Sequence, residues 1–198
     1  MKKNSEFFFL CVLILLLMFW VSRCTRVKAQ VVPLHKEYFD IEYNVCLGVP
    51  TQVDWVITKA DVLSPVKRKS WRFKIDREAP KPRVSSTMYD NTGYDRGHMC
   101  PAADRAGTTE AMRSTFIMTN VCPQVPALNR GCWKAAEEAC RQLAIRHGRC
   151  SVRVAPFWFP QDTFRIANGR IAVPHAFVRL AWLEDRQSFH KIWMVINK

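Results

Sequence analysis

Glycine is scarce in this chain, at seven of 198 residues, and neither a low-complexity linker nor an internal repeat interrupts the sequence. These absences argue against small modules joined by linkers and against a repeat array. They predict one domain with a core of adequate size. No segment resembles a helix-turn-helix or an RNA-reading module, so recognition of a specific nucleotide sequence is not expected.

The chain also lacks an apolar run long enough to span a bilayer. Its longest run, residues 7–21, contains 15 residues, whereas a spanning helix needs about 20. Two lysines precede this run and Ala29 follows it, which is the pattern of a secretory signal peptide. We therefore expect residues 1–29 to be a signal peptide, with an uncleaved anchor as the alternative. Residues 30–198 would then be a secreted or periplasmic domain without stable membrane association.

Acidic residues are in the minority, because 17 Asp and Glu stand against 30 Lys and Arg, which gives a net charge of +13. The first 29 residues carry five of the bases and one acid, so the remaining domain keeps a net charge of +9. Such a surface suits a polyanionic partner. Charge alone does not choose between nucleic acid, acidic lipid and polysaccharide.

The most informative residues that the chain does contain form two linked motifs. Asp95-Arg96-Gly97-His98 is followed about thirty positions later by Asn129, Trp133, Glu137 and Arg141 at steps of four. A histidine is suited to take a proton from water near neutral pH, and an adjacent arginine can hold a phosphodiester beside it. The combination indicates phosphodiester hydrolysis.

The second motif has the spacing of a helix. Residues 129–146 suit a helix in composition, and Gly148 can end it. Residues four apart lie close together around a helix, so the four side chains are expected to share one broad face. Asn129 would then lie at the amino end, where its amide oxygen can cap the helix or bind a hard cation such as Mg²⁺.

Each of these residues also has a plainer interpretation. In that interpretation His98 is a hydrogen-bonded core histidine and Asn129 is only a helix cap. Glu137 and Arg141 then form an ordinary ion pair on an exposed face. The combination and spacing of the two motifs favour the catalytic interpretation for these residues. For Trp133 we favour the plainer one, a core anchor, because it stands beside apolar helix positions.

The two motifs resemble those of the DNA/RNA non-specific endonucleases, whose ββα-metal, or His-Me finger, active site carries an Asp-Arg-Gly-His motif. The match continues through residues 119–124 and 128–131 to Trp133 and Glu137, and it covers about residues 55–178. The resemblance implies that residues 30–198 form one α+β endonuclease domain with an antiparallel sheet and a long active-site helix. The order and spacing of the motifs agree with the family.

The resemblance also implies a role for each site residue. His98 activates water, Asn129 binds Mg²⁺ directly, and Glu137 acts through metal-bound water. Arg96 and Arg141 contact phosphate. Mn²⁺ is the alternative metal, and the implied substrates are DNA and RNA, cleaved without sequence preference.

A further family arginine lies upstream of the first motif. Both Arg68 and Arg72 stand near that position, and we favour Arg68 slightly. Asp95 and Gly97 would have structural roles beside the site. The competing hypothesis is a basic protein of the same fold that captures nucleic acid without cutting it, although His98 and Asn129 argue against this.

Six cysteines follow residue 29. A zinc site built from His98 and Cys100 with Cys122 or Cys132 is disfavoured, because no Cys-x-x-Cys pair is present. An even number of cysteines in a secreted domain favours disulfides instead. Among the many possible pairings we favour Cys100 with Cys122, because both flank motifs that must converge on one site. The six cysteines are Cys46, Cys100, Cys122, Cys132, Cys140 and Cys150.

Short apolar or alternating segments predict the strands of the sheet, and residues 80–91, with two prolines, predict a surface loop that leads into the first motif. The predicted strands are residues 41–47, 53–57, 114–118, 152–158, 176–183 and 192–196.

Overall fold

The computed structural model describes residues 31–63, 65–159, 163–183 and 189–198. The signal peptide expected at residues 1–29 lies outside the described residues. Residues 32–198 form one compact unit. None of the helices in the described part of the chain combines the length and apolar content needed to cross a bilayer.

A six-stranded sheet is the largest element of the fold. Its strands are β1 (Val31–His35), β2 (Asp40–Asn44), β3 (Val49–Thr58), β6 (Arg149–Phe157), β9 (Ala176–Trp182) and β10 (Phe189–Ile196). They lie in the order β1-β2-β3-β6-β9-β10 across the sheet, and the pairs β2–β3, β3–β6, β6–β9 and β9–β10 are antiparallel.

Two smaller ribbons account for the other strands among the described residues. The first pairs β4 (Asp95–His98) with β5 (Val121–Gln124), so the whole first motif forms one strand. A side chain at Gly97 would bring its Cβ within 2.3 Å of the Gln124 side-chain oxygen, which explains the glycine. The second ribbon pairs β7 (Arg165–Ile166) with β8 (Ile171–Ala172).

In the part of the chain that the structure describes, four α-helices accompany the strands: α1 (Lys59–Leu63), α2 (Thr109–Ser114), α3 (Pro126–Arg130) and α4 (Cys132–His147). Single turns of 3₁₀ helix lie at Ser86–Tyr89, Ala102–Arg105 and Met118–Asn120.

The long helix α4 packs on the inner face of the sheet. Its buried residues recur every three or four positions, as expected for a helix with one apolar face, and Trp133 contacts Phe177 of β9 with 5.5 Å between the ring centroids. Two basic residues lie in its last turn, and Gly148 follows with a φ of 86°, a backbone conformation that favours glycine. Trp133 is fully buried, so its expected role as a core anchor is confirmed.

The α+β class predicted from the sequence is confirmed, and five of the six predicted strands correspond to β2, β3, β6, β9 and β10. The strand predicted at residues 114–118 is wrong. Helix α2 extends to Ser114, and the hydroxyls of Ser114 and Thr115 donate to carbonyls three residues earlier, which continues the turn. Ile117 contributes only an isolated bridge to Lys74.

The predicted helix over residues 129–146 begins too early. Asn129 lies in the short helix α3, and Gly131, with φ −105° and ψ −115°, separates α3 from α4. A Cβ at residue 131 would lie 2.4 Å from the carbonyl oxygen of Ala127, so this close turn requires glycine. Asn129 and Glu137 therefore do not share the face of one helix, contrary to the prediction.

The expected disulfides are also absent from the described part of the chain, where all six cysteines are free thiols. The predicted Cys100–Cys122 pairing is wrong, because both thiols are free and Cys122 lies in β5 opposite Gly97 whereas Cys100 lies beyond the end of β4. The Cys122 thiol lies against the carbonyl of Pro50, at 4.0 Å. Burial raises the pKa of the Cys100 thiol, with a smaller opposing effect from Arg105.

Candidate active site

His98 ends strand β4 with its imidazole between two phenyl rings. The ring centroids of Phe73 and Phe116 lie 4.7 Å and 4.9 Å from that of His98. The Nε2 atom is buried and has no hydrogen-bond partner in the described structure. Burial, and then the charge of Arg68, lower the pKa of His98 to about 3. The imidazole is therefore neutral at pH 7, which a proton acceptor must be.

Asp95, at the other end of β4, orients Asn129. The Asn129 amide nitrogen donates to Asp95 Oδ2 at 2.9 Å, and Arg130 donates twice to the same carboxylate, at 3.0 Å and 2.8 Å. Burial raises the pKa of Asp95, but the hydrogen bonds from Arg130 and Asn129 outweigh it and hold this pKa below its ordinary value. Because the amide nitrogen is committed to Asp95, the carbonyl oxygen Oδ1 of Asn129 is left available to a ligand.

Glu137 projects from the second turn of α4 and is largely buried, with 15% of its side chain exposed. Its Oε1 lies 3.5 Å from an Nη2 atom of Arg179 in β9. Burial raises the pKa of Glu137 to about 7, against the opposing effect of Arg179. A carboxyl group of this kind can change its charge near neutral pH.

The two upstream arginines occupy different positions. The Arg68 guanidinium lies 5.5 Å from the centroid of the Phe116 ring, and its charge lowers the pKa of both His98 and Glu137. Arg72 lines an open depression together with Arg96, Asn129 and Arg130. Both arginines thus border the candidate site, and Arg68 is the one whose charge reaches its two titratable residues.

Arg96 is bound to the segment that precedes the first motif. Its guanidinium donates to the carbonyl of Ser86 at 3.0 Å and 2.7 Å and forms an ion pair with Asp90. The side chain is 28% exposed and faces the same depression as Arg72. A phosphate that binds Arg96 would therefore compete with Asp90.

Arg141 is held by acids other than Glu137. It donates to Asp104 at 2.7 Å and to Glu138 at 2.9 Å and 3.1 Å. Asp104 is fully buried and also accepts a hydrogen bond from the Trp55 indole at 3.0 Å. The sequence also allowed an ordinary ion pair between Glu137 and Arg141, but the acids that bind Arg141 are Asp104 and Glu138. Its guanidinium borders a mainly apolar cavity of about 280 Å³ that Arg68 also lines.

The predicted site residues therefore fall into two groups. The charge of Arg68 acts on His98 and Glu137, and Arg141 lines a cavity together with Arg68. Asp95, Asn129, Arg96 and Arg72 surround the depression. Phe73 lines the depression and also contacts the His98 ring, so the two groups meet there. Gly97 lies between them in β4.

The sequence analysis missed several residues of this site. Phe73 and Phe116 enclose His98, Asp104 binds Arg141, and Arg179 lies beside Glu137. A signal for Arg179 was present, since it is a charged residue at an inward position of a strand whose inward neighbours are apolar. No comparable pattern marks the two phenylalanines, which approach His98 from separate segments of the chain.

The residues fit a hard divalent cation. In the part of the chain that the structure describes, no three His, Cys, Asp or Glu side chains cluster as a metal cage. Mg²⁺ does not need one, because it takes oxygen ligands and usually keeps several waters. Asn129 offers one oriented amide oxygen, and Glu137 offers a carboxylate for hydrogen bonds from surrounding water.

Comparisons with known proteins agree with this geometry. The family model described as DNA/RNA non-specific endonuclease matches residues 24–197. A nuclease of Nostoc is 37% identical over 150 residues, which cover 76% of this chain and 54% of that protein. Nuclease C1 of Cunninghamella echinulata is 32% identical over 160 residues, which cover 74% of this chain and 63% of that protein. The chain thus spans little more than half the length of these curated relatives.

A solved structure extends the likeness to the fold. A chain of the EndoG/EndoGI complex, a structure concerned with EndoG inhibition, superposes with a TM-score of 0.76 at 25% sequence identity. The match covers 84% of this chain and 74% of that chain. The predicted ββα-metal arrangement is confirmed by this likeness, with β4 and β5 as its strands and α4 as its long helix.

Proposed function

Because the chain belongs to the DNA/RNA non-specific endonuclease family, we propose that it is a divalent-metal-dependent endonuclease that hydrolyses phosphodiester bonds of DNA and RNA. The observation that carries the proposal is that strand β4 ends in a buried, neutral His98 and begins with Asp95, which orients Asn129 beside Arg72 and Arg96. Mg²⁺ is the proposed ion, with Mn²⁺ as the alternative.

His98 is the proposed general base. Its buried, neutral ring has an Nε2 atom without a partner in the described structure, so this atom is able to accept a proton from the attacking water. The rings of Phe73 and Phe116 fix the plane of the imidazole and limit the access of bulk water. The arrangement keeps the base in its accepting form before substrate arrives.

Asn129 is the proposed direct ligand of the metal, through Oδ1, and Glu137 accepts hydrogen bonds from water around the ion. Asp95 contributes indirectly, because its hydrogen bond fixes the orientation of the Asn129 amide. When bound, the ion would supply positive charge that stabilises the negative charge developing on the phosphate in the transition state.

The arginines are the proposed phosphate contacts. The charge of Arg68 acts on His98, and Arg72 and Arg96 border the open depression. Arg141 faces the cavity beside Arg68 while Asp104 and Glu138 hold it in place. Contacts to phosphate carry no base information, so cleavage without sequence preference follows from such a set.

We also propose secretion, or export to the periplasm, for this domain. The proposal depends on the signal-peptide pattern of residues 1–29 and on the net charge of +9 that remains after their removal. A secreted basic nuclease would meet nucleic acid released outside the cell.

A plasmid-nicking assay tests the activity. Purified protein should convert supercoiled plasmid to open-circular and linear forms and degrade RNA with added Mg²⁺, and EDTA should stop both reactions. His98→Ala should lower the cleavage rate by about 10²–10⁴-fold, because the general base is lost. His35→Ala, which changes an exposed histidine of β1, is the matched control and should cut like the wild type. Binding of plasmid without any metal-dependent cleavage would support the capture hypothesis instead.

A further inference from the structure

Arg179 is a fully buried charge that the proposed reaction leaves unexplained. It lies in β9 at 0% exposure, between the inward-facing Phe177 and Ala181. Burying a guanidinium removes its hydration, and the cost is large unless hydrogen bonds or an acid compensate. Well-packed apolar residues often replace a buried ion pair without loss of stability, so stability alone does not account for Arg179.

Aromatic rings hold the Arg179 guanidinium in place. Its central carbon lies 4.6 Å from the ring centroid of Trp133 and 5.4 Å from that of Trp55. Cation–π contacts with two indoles partly replace the lost hydration of the charge. The indole of Trp55 is itself fixed by its hydrogen bond to Asp104.

Glu137 is the acid that Arg179 faces. Their side chains approach to 3.5 Å. The Nε, Nη1 and Nη2 atoms of Arg179 form no hydrogen bond of normal geometry in the described structure, and the thiol of Cys140 in α4 also faces this guanidinium. Arg141, by contrast, is engaged by Asp104 and Glu138. In the described part of the chain, Glu137 is the acid that forms an ion pair with Arg179.

We propose that Arg179 is a positioning residue for hydrolysis, which pairs with the Glu137 carboxylate, keeps it charged and fixes its direction toward the water around the metal. The inference rests on the proposed function. Because Arg179 has no exposed surface, it does not touch substrate and acts only through Glu137. The other charges that reach Glu137 are Asp104, which opposes its ionisation, and Arg141 and Arg68, which favour it.

Steady-state cleavage by the full chain tests the pairing. Arg179→Met removes the charge while keeping a long apolar side chain. We expect kcat to fall about 10- to 100-fold, as is typical when a group that supports a metal site indirectly is lost, with KM for DNA within about twofold of wild type. Arg179→Lys should recover most of the loss. Arg153→Met is the matched control, since Arg153 is an exposed residue of β6 paired with Asp54 on the opposite sheet face.

A double-mutant cycle shows whether Arg179 acts through Glu137. In the Glu137→Gln background, Arg179→Met should change kcat by less than about twofold. The same fold-loss in both backgrounds, or a folded Arg179→Met variant with wild-type kcat, would overturn the proposal. If Arg179→Met does not fold, Arg179→Gln is carried through the same cycle, and it must show a kcat loss that disappears with Glu137→Gln.

A second measurement needs neither metal nor activity. The ¹³C-labelled carboxyl resonance of Glu137, identified by its disappearance in Glu137→Gln, reports ionisation in metal-free protein. Arg179→Met should raise its titration midpoint by at least about one pH unit, a tenfold change in the acid constant, and Arg179→Lys should restore it. An unchanged midpoint rejects the pairing. A shifted midpoint in a protein without nuclease activity would instead reject the proposed function and leave the pairing standing.

Discussion

His98 is enclosed by Phe73 and Phe116, and the positive charge of Arg68 acts on it. All three lower its affinity for a proton in the free protein, so the ring enters the reaction as the neutral acceptor. A neutral ring of low basicity is a weaker base than an exposed one. Its advantage is that no part of the enzyme population is protonated and inactive near neutral pH.

The burial of His98 predicts a dependence of stability on pH. Its pKa in the folded protein, about 3, lies below the ordinary value of 6.5. The folded protein therefore has its full free energy of unfolding from this group above pH 6.5. That contribution is lost as pH falls toward 3, because in this range only the unfolded chain takes up the proton. Between pH 6.5 and 5 the free energy of unfolding should fall by up to about 2 kcal/mol more in wild type than in His98→Asn. Urea unfolding at several pH values measures this difference, and parallel curves for the two proteins would contradict it.

Asn129 offers a second test at the scale of the residue. Asn129→Ala should raise the Mg²⁺ concentration needed for half-maximal nicking, because the proposed direct ligand is lost. Asn129→Asp retains an oxygen ligand but sets a second carboxylate against Asp95, which loses the N–H of Asn129 and keeps only those of Arg130. We expect it to need less Mg²⁺ than the alanine variant and to melt earlier than wild type in EDTA. An unchanged Mg²⁺ titration for Asn129→Ala would assign the metal elsewhere.

Single residues show what the sequence can and cannot predict here. His98 and Asn129 were identified because the spacing of two motifs is specific. The ion pairs of Arg96 with Asp90 and of Arg141 with Asp104 were not, because their partners are set by tertiary packing. The Cys100–Cys122 pairing failed for the same reason, since proximity to one site does not determine which way two side chains point.

At the scale of the element, the break between α3 and α4 decides where the metal ligand stands. One continuous helix would have carried Asn129 on the face of Glu137. The turn at Gly131 instead lets α3 direct Asn129 to Asp95 of β4. Good helix formers on both sides hide this break in the sequence, and the requirement for glycine becomes visible only when the approach of the Ala127 carbonyl is known.

Gly131→Ala should therefore disturb the site as well as the fold. Its Cβ would press on the Ala127 carbonyl, so we expect a loss of about 1–3 kcal/mol in the free energy of unfolding together with a raised Mg²⁺ requirement, as Asn129 moves from Asp95. Ala135→Gly, at an exposed position of α4, is the control, since it costs about 0.5–1 kcal/mol through the backbone and should leave the Mg²⁺ titration unchanged. Equal Mg²⁺ requirements for the two variants would show that the turn does not position Asn129.

The β4–β5 ribbon was also missed as an element. The polar first motif has no alternating apolar pattern, and the ribbon is held by contacts beyond it. The Asn120 side chain accepts from the backbone of Cys100 and donates to the carbonyls of Cys100 and Thr115. A buried asparagine that replaces backbone partners in this way is a tertiary feature, which strand patterns do not register.

At the scale of the whole molecule, the two faces of the sheet differ, because only one of them carries α4 and the candidate site. Residues paired across β6 and β9 share a face, so Val154 lies with Arg179 on the side of α4, and Arg153 lies with Leu180 on the other. The candidate site is built on the α4 side, where arginines border the depression. If the site binds nucleic acid, we therefore expect the substrate to contact the arginines on the α4 side of the sheet.

The salt dependence of binding tests this orientation. Each phosphate neutralised on duplex DNA contributes about −0.9 to the slope of log K against log salt concentration, because counterions are released. In the slowly cleaving His98→Ala background, Arg72→Ala should make the slope less steep by about 1 and weaken binding equally for unrelated DNA sequences. Arg72 is suited to this test because it borders the depression and forms no ion pair in the described part of the chain.

Arg153→Ala, on the opposite face and paired with Asp54, is the control and should leave the slope unchanged. Titrations of fluorescent duplexes from about 50 to 200 mM salt measure both slopes. A change caused by Arg153→Ala but not by Arg72→Ala would place the nucleic acid on the face opposite α4 and contradict the proposed site.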